Sequence, residues 1–195
     1  MPTHHILHTA DASSTARPLV ILVSGQHGDE AESVLLGQWL ARAYREVKML
    51  GGSLGFDLAV FGAVNAWGLA NDCRTLEDGR DPNREHGGPT APAMAWEPEL
   101  WAFAAAAPAV LILDLHAHHD PSAILVSTGV EDSIRPFFPN TPIVTRDKVG
   151  SLADVAKNAG HLAATVEAGK SRRENLRDFE ASVWAAMQTW ATAHS

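Results

Sequence analysis

The chain has 195 residues, 46% of them hydrophobic and 19% charged, with a formal net charge of -8. That length suffices for one domain with a sizeable core, and the acidic balance excludes general nucleic-acid binding, which needs clustered Lys and Arg. The lone Cys73 excludes an internal disulfide and fits a reducing compartment. The polar N-terminus has no signal-peptide core, and no apolar run approaches a bilayer span. These features predict a soluble, cytoplasmic protein with no membrane partner.

Residues 19–24 form a short aliphatic run, read as a buried strand. Residues 30–47 follow with helical spacing. Asp29, Glu30 and Glu32 lie at the start of this segment and Arg42, Arg45 and Lys48 near its end, an order that suits the helix dipole. Gly51, Gly52 and Gly55 mark a turn before a second strand over 56–64. Residues 65–92 are polar and rich in Gly and Pro, and a loop of this length in a compact domain is commonly functional. A helix over 98–107 stops at Pro108. The most apolar strand, 109–115, ends at His116.

A short strand over 123–127 comes next, then a weakly helical stretch over 130–138. Helix, strand and helix are predicted over 151–160, 161–166 and 171–193. Strands alternating with helices predict a three-layer α/β/α architecture with a mainly parallel mixed sheet. Nothing in the composition divides the chain, so residues 1–195 read as a single domain. In open α/β sheets, ligands bind beyond the carboxyl ends of the strands. His27, His116 and Glu167 all fall at such ends.

His27 and Glu30 stand three residues apart at a strand-to-helix turn, in Gly25-Gln26-His27-Gly28-Asp29-Glu30. With His116 they supply two imidazoles and a carboxylate, a zinc ligand set that leaves one position open. His-x-x-Glu alone recurs by accident, and Glu30 also suits a helix N-terminus. Glu167 at a strand end could move a proton, or be a solvated acid. Arg74, Arg80, Asn83 and Arg84 form a local cationic cluster in an acidic chain. Arginine binds carboxylates bidentately, but Asp81 and Glu85 could simply pair with these groups. Asp114, two residues before His116, shares its strand face and could lie near the metal.

The motifs, taken in order, are His27-Gly28-Asp29-Glu30, Asn65, Arg74, Asp81-Pro82-Asn83-Arg84, Asp114-Leu115-His116 and Glu167-Ala168-Gly169. This series resembles the succinylglutamate desuccinylase/aspartoacylase branch of the zinc carboxypeptidase superfamily, over about residues 19–169. The resemblance implies one zinc ion per chain on His27, Glu30 and His116. It implies Glu167 as general base and then general acid, and Arg74 as the group that polarises the scissile carbonyl. Asn83 and Arg84 would hold a substrate carboxylate, and Asp81 would fix the tautomer of His27.

Pro82 departs from the aliphatic residue usual in that motif. The late tyrosine of the carboxypeptidases has no counterpart, because Tyr44 is the only tyrosine. The C-terminal β-rich domain common in the deacylases is also expected to be lacking.

The reaction so implied is amide hydrolysis next to a free carboxylate, in an N-acyl amino acid or small peptide, by Glu-assisted attack of zinc-bound water. A carboxypeptidase acting on peptide C-termini is the alternative within the class. A non-catalytic metal- or ligand-binding module is the alternative outside it. A homo-oligomer that lends pocket walls remains open. His118 and His119 read as exposed loop; Arg146 and Lys148 could assist an acidic substrate but read first as a solvated loop. Trp67 and Trp96 flank the functional loop and could line its pocket. His4, His5 and His8 read as a frayed N-terminal strand.

Overall fold

The computed structural model describes residues 5–8, 17–117, 122–169 and 173–195. His4, His118 and His119 lie outside them. Seven strands form one sheet: β1 (His5–His8), β2 (Leu19–Ser24), β3 (Asp57–Gly62), β4 (Val110–His116), β5 (Ala123–Val126), β6 (Ile143–Thr145) and β7 (Leu162–Glu167). Their spatial order is β1-β3-β2-β4-β7-β5-β6. The central strands β3, β2, β4 and β7 run parallel. β1 and β5 pair antiparallel with their neighbours β3 and β7, and β6 runs parallel to β5. The sheet is therefore mixed and mostly parallel, as the alternation of elements predicted.

Strands buried on both faces explain the unbroken aliphatic runs. Val20, Leu22, Leu111 and Leu113 point toward α1 (Ala31–Met49) and α6 (Arg173–His194), where they meet Leu36, Leu40, Val183 and Trp190. Leu19, Ile21, Val23 and Ile112 point the other way. Their partners are Trp96, Leu100 and Trp101 at α3 (Glu97–Ala106), and Leu152 and Ala156 of α5 (Leu152–Asn158). Helices thus cover both faces, giving the expected three layers.

Three local differences from the sequence reading have physical causes. The long polar loop contains a short helix, α2 (Ala66–Asn71), capped by the Asn65 side chain, which accepts from the Gly68 N–H. It also contains a 3-10 turn, Pro82–Arg84, in which Asp81 accepts from the Asn83 N–H. These Asx caps satisfy backbone donors without any apolar periodicity to betray them. β6 was missed because it is a three-residue edge strand, and the Pro142 carbonyl that precedes it accepts from Ile124. The stretch over 130–138 divides into α4 (Glu131–Ile134) and a 3-10 turn, Arg135–Phe137. No described helix is long and apolar enough to cross a membrane.

Register places the chemistry. In the β4–β7 ladder His116 is the partner of Glu167, and Asp114 of Thr165. Side chains alternate along a strand, so all four project from the α3–α5 face. His27 and Glu30 follow β2, the other neighbour of β4.

Candidate metal centre and its cavity

The β2–α1 turn is built to hold a fixed shape. The Ser33 hydroxyl accepts from the Gly25 N–H at 3.2 Å and donates to the Glu30 carbonyl at 2.7 Å. The Gly28 N–H donates to the Cys73 carbonyl at 3.0 Å. A Cβ on Gly28 would overlap the Gly68 carbonyl, so only glycine permits this approach to α2. Asn65 donates to the Gln26 carbonyl at 2.9 Å and locks the turn from the other side. Glu30 is the N-cap residue of α1, yet its side chain does not cap the helix. The carboxylate faces the histidines instead.

His27 Nδ1 lies 2.9 Å from Glu30 Oε1, and His116 Nδ1 lies 2.9 Å from Glu30 Oε2. The two Nδ1 atoms are 3.1 Å apart. All three residues are buried. Behind each ring stands a carboxylate: His27 Nε2 is 3.0 Å from Asp81 Oδ1, and His116 Nε2 is 3.0 Å from Asp114 Oδ2. A neutral imidazole that donates from Nε2 presents a bare lone pair at Nδ1. Two such lone pairs and a carboxylate then face one another in a buried space. Acceptors so placed repel unless a proton or a cation sits among them. Their ligand atoms all lie within 4.8 Å of one another, and His27, Glu30 and His116 could hold a metal ion. The donor set and its backing carboxylates fit that role.

Charges around the cluster follow the same logic. Burial alone would raise the Glu30 carboxyl, but the His116 and His27 rings outweigh it and hold the group well below the usual range. Burial likewise opposes ionisation of Asp81, which hydrogen bonds from His27 and Arg74 bring down to about 2. Burial would lower His116. The Asp114 and Glu30 carboxylates reverse this and lift it to about 10.

Arg74 reaches Asp81 Oδ2 from Nη2 at 3.0 Å and Glu30 Oε1 from Nη1 at 3.5 Å. It lines a cavity of about 210 Å³ together with His27, Glu30, His116, Arg84, Arg146, Lys148 and Glu167. Glu167 is 4% exposed. The backbone directly after it is tied to His116, because Ala168 N–H donates to the His116 carbonyl at 2.8 Å.

Of the two residues expected to hold a substrate carboxylate, Arg84 lines the cavity and Asn83 does not. Asn83 is 1% exposed. Its Oδ1 accepts from the Leu152 N–H at 3.1 Å, and its Nδ2 packs 3.0 Å from His116 Nε2. The Asx turn begun by Asp81 rotates Asn83 inward and leaves Arg84 facing out.

Arg146 and Lys148, read as a solvated loop, also line the cavity. The β6–α5 loop is brought there by backbone bonds, from Arg146 N–H to the Val126 carbonyl at 2.8 Å and from His86 N–H to the Gly150 carbonyl at 3.1 Å. Gly150 has φ +75° and sits against the Arg84 carbonyl, where a Cβ would clash. Burial lowers Lys148, and Arg84 and Arg146 add to the effect while Glu167 opposes it. Gln26, adjacent to His27, was also missed; it donates to Asp114 at 2.6 Å.

Trp67 and Trp96 do not line this cavity. Trp96 is buried against Phe61 and His86, and Trp67 is 37% exposed. Tyr44 is buried in α1 and donates to the Phe56 carbonyl at 3.3 Å.

A buried His-Glu-His cluster beyond the carboxyl edge of a mostly parallel sheet, with helices on both faces, places the architecture among metallopeptidase and desuccinylase folds. The chain is similar to the succinylglutamate desuccinylase/aspartoacylase of Rhodobacter sphaeroides, with 19% identity and a TM-score of 0.60 over 89% of this chain and 55% of that one. It is also similar to a succinylglutamate desuccinylase from Silicibacter sp. TM1040, with 16% identity and a TM-score of 0.65 over 87% and 56%. The murein-tripeptide amidase MpaA of Escherichia coli O157 shares 17% identity and a TM-score of 0.59 over 93% and 83%. The chain thus spans little more than half the length of the two desuccinylases. No family model and no curated protein matches it. The structural neighbours include the branch that the motifs resemble.

Proposed function

We propose that this chain is a zinc-dependent hydrolase that cleaves an amide bond next to a free carboxylate, in an N-acyl amino acid or a small peptide. The observation that carries this reading is one cavity holding three kinds of group. They are the His27-Glu30-His116 cluster, the Glu167 carboxylate one strand away, and the cations Arg74, Arg84, Arg146 and Lys148. A zinc ion on the cluster would acidify water and polarise a carbonyl oxygen.

The residues of the chain supply the rest. Glu167 accepts the proton lost by the attacking water and returns it to the departing nitrogen, so that amine rather than amide anion leaves. Arg74 presents its guanidinium toward the cluster and stabilises negative charge on the former carbonyl oxygen. Asp81 holds both His27 and Arg74, fixing metal ligand and oxyanion donor in one frame. Arg84 pairs with the substrate carboxylate and sets which amide bond is presented to the His27-Glu30-His116 cluster. Arg146 and Lys148 extend the positive wall, so an anionic substrate is favoured over a neutral one.

The test is a screen of the zinc-loaded protein on N-acyl amino acids and on peptides with free C-termini. Turnover of a carboxylate-bearing amide is expected, lost in Glu167→Gln while zinc is retained. Full zinc occupancy with no turnover across the panel would replace the enzyme with a metal- or ligand-binding module. Turnover confined to the peptides would favour the carboxypeptidase alternative.

A further inference from the structure

The polar interior behind His116 continues well past the group that orients it. Asp114 is fully buried, and its Oδ2 takes His116 Nε2. Its Oδ1 takes Gln26 Nε2 at 2.6 Å. Gln26 Oε1 in turn lies 2.6 Å from His86 Nε2, and His86 Nδ1 lies 2.7 Å from Glu97 Oε1. Gln26, His86 and Glu97 are all buried. Glu97 also accepts backbone N–H groups from Ala93 at 2.6 Å, Met94 at 3.1 Å and Gly87 at 3.3 Å.

Donor accounting leaves one arrangement. Glu97 Oε2 takes the three backbone N–H groups, and Oε1 shares one proton with His86 Nδ1. Asp114 accepts at Oδ1, so the amide end of Gln26 must face it, and the carbonyl end must face His86. His86 Nε2 must then donate to Gln26. The chain of donors runs from His86 through Gln26 to Asp114, with no free choice at any link. Removing one member leaves a buried polar atom unpaired and frees the next to rotate.

The geometry points to Gln26, His86 and Glu97 as positioning residues for the metal centre. They fix the rotamer of Asp114, and through it the aim of His116 Nδ1. Gln26 has a double attachment, because its backbone carbonyl is held by Asn65 in the same turn that carries His27. It thereby couples the two histidine ligands, which come from different strands. Glu97, at the start of α3, anchors the far end to a helix packed on the sheet. This role rests on the metal reading of the site but not on any reaction.

The experiment measures zinc affinity by chelator competition, together with the visible spectrum of the cobalt-substituted protein. Groups that orient a metal ligand typically contribute about 10- to 100-fold in affinity. Gln26→Met and His86→Leu are expected to lose affinity in that range and to change the cobalt ligand-field bands. His86→Gln keeps a donor toward Gln26 and is expected to recover most of the loss. Folded Gln26→Met and His86→Leu proteins with unchanged affinity and spectrum would overturn the proposal. Should both fail to fold, nitrogen-15 NMR of the zinc-loaded unmodified protein decides. His86 Nε2 must carry a proton, and a bare Nε2 overturns the arrangement. An unmodified protein that takes up no zinc would defeat this role and the metal reading together. Unmodified uptake with unaltered variants would defeat this role alone.

Discussion

The floor and the rim of the cavity are built on opposite principles. On the floor, His27, Glu30 and His116 are 2%, 1% and 2% exposed, and each has fixed partners on more than one side. On the rim, Arg84 and Arg146 are exposed, and no side-chain hydrogen bond of Arg146 or Lys148 is found among the described residues. The backbone of the rim is held by hydrogen bonds, and Arg84 donates to the Asn83 carbonyl, while Arg84 and Arg146 stand open to solvent. The floor therefore acts through geometry and the rim through charge. Changes on the floor should be nearly all-or-none, and changes on the rim graded.

The sharpest test of that contrast is Glu30→Ala. It removes a ligand and the negative charge between the two histidines, so zinc content after dialysis is expected to fall to background and turnover with it. Zinc retained at full occupancy would break the comparison at its root. Glu167→Gln should leave zinc in place and lower kcat by about 10²- to 10⁴-fold, the usual worth of a positioned acid–base group. An equal loss of zinc would mean that Glu167 belongs to the floor as a ligand.

Asp81→Asn keeps the shape but weakens the grip on His27, and about a 10- to 100-fold loss of zinc affinity is expected in chelator competition. On the rim, Arg84→Ala should raise KM with kcat little changed. A charge-assisted hydrogen bond is worth about 1.5–3 kcal/mol, or roughly 10- to 150-fold. Arg146→Ala should cost only a few-fold and less at high salt, because the group is exposed and screened. A salt-independent effect would show that Arg146 makes a fixed contact.

The floor should also respond to pH. Asp81 sits at about 2, and Glu30 and Asp114 are also lowered. A depressed folded-state value stabilises above the unfolded value near 4 and loses that contribution as pH falls through the folded one. The melting temperature of the metal-free protein should therefore drop between about pH 4 and 2. His116, raised to about 10, acts in the opposite sense. Its contribution is complete below about pH 6.5 and disappears as pH rises through about 10. A flat melting profile at both ends would contradict the coupling among these groups.

Much of the floor was legible because strand ends are legible. An aliphatic run followed by Gly or a charged residue locates a carboxyl edge, and His27, His116 and Glu167 each stand at one. The four parallel strands also follow from runs buried on both faces. The rim was not legible, because Arg146 and Lys148 reach the cavity only through the pairing of β6 with β5 and of β5 with β7. No local pattern encodes that antiparallel return. Asn83 and Arg84 are neighbours in sequence and point to different places, because a 3-10 turn rotates successive side chains apart. Gln26, His86 and Glu97 meet across 60 and 11 positions. Periodicity within any one element says nothing about such encounters.

The pairing of His116 with Glu167 in the β4–β7 ladder has a consequence for how errors propagate. Parallel strands sit about 4.8 Å apart, a spacing set by backbone hydrogen bonds and not by side-chain identity. The ladder thus works as a ruler between a candidate ligand and a candidate proton carrier. Such a ruler has no half-marks. A slip of one residue in β7 would turn Glu167 to the opposite face and bring an apolar neighbour into its place. Within the sheet, misregistration and loss of chemistry would be a single event, so the same ladder that proofreads the fold proofreads the site.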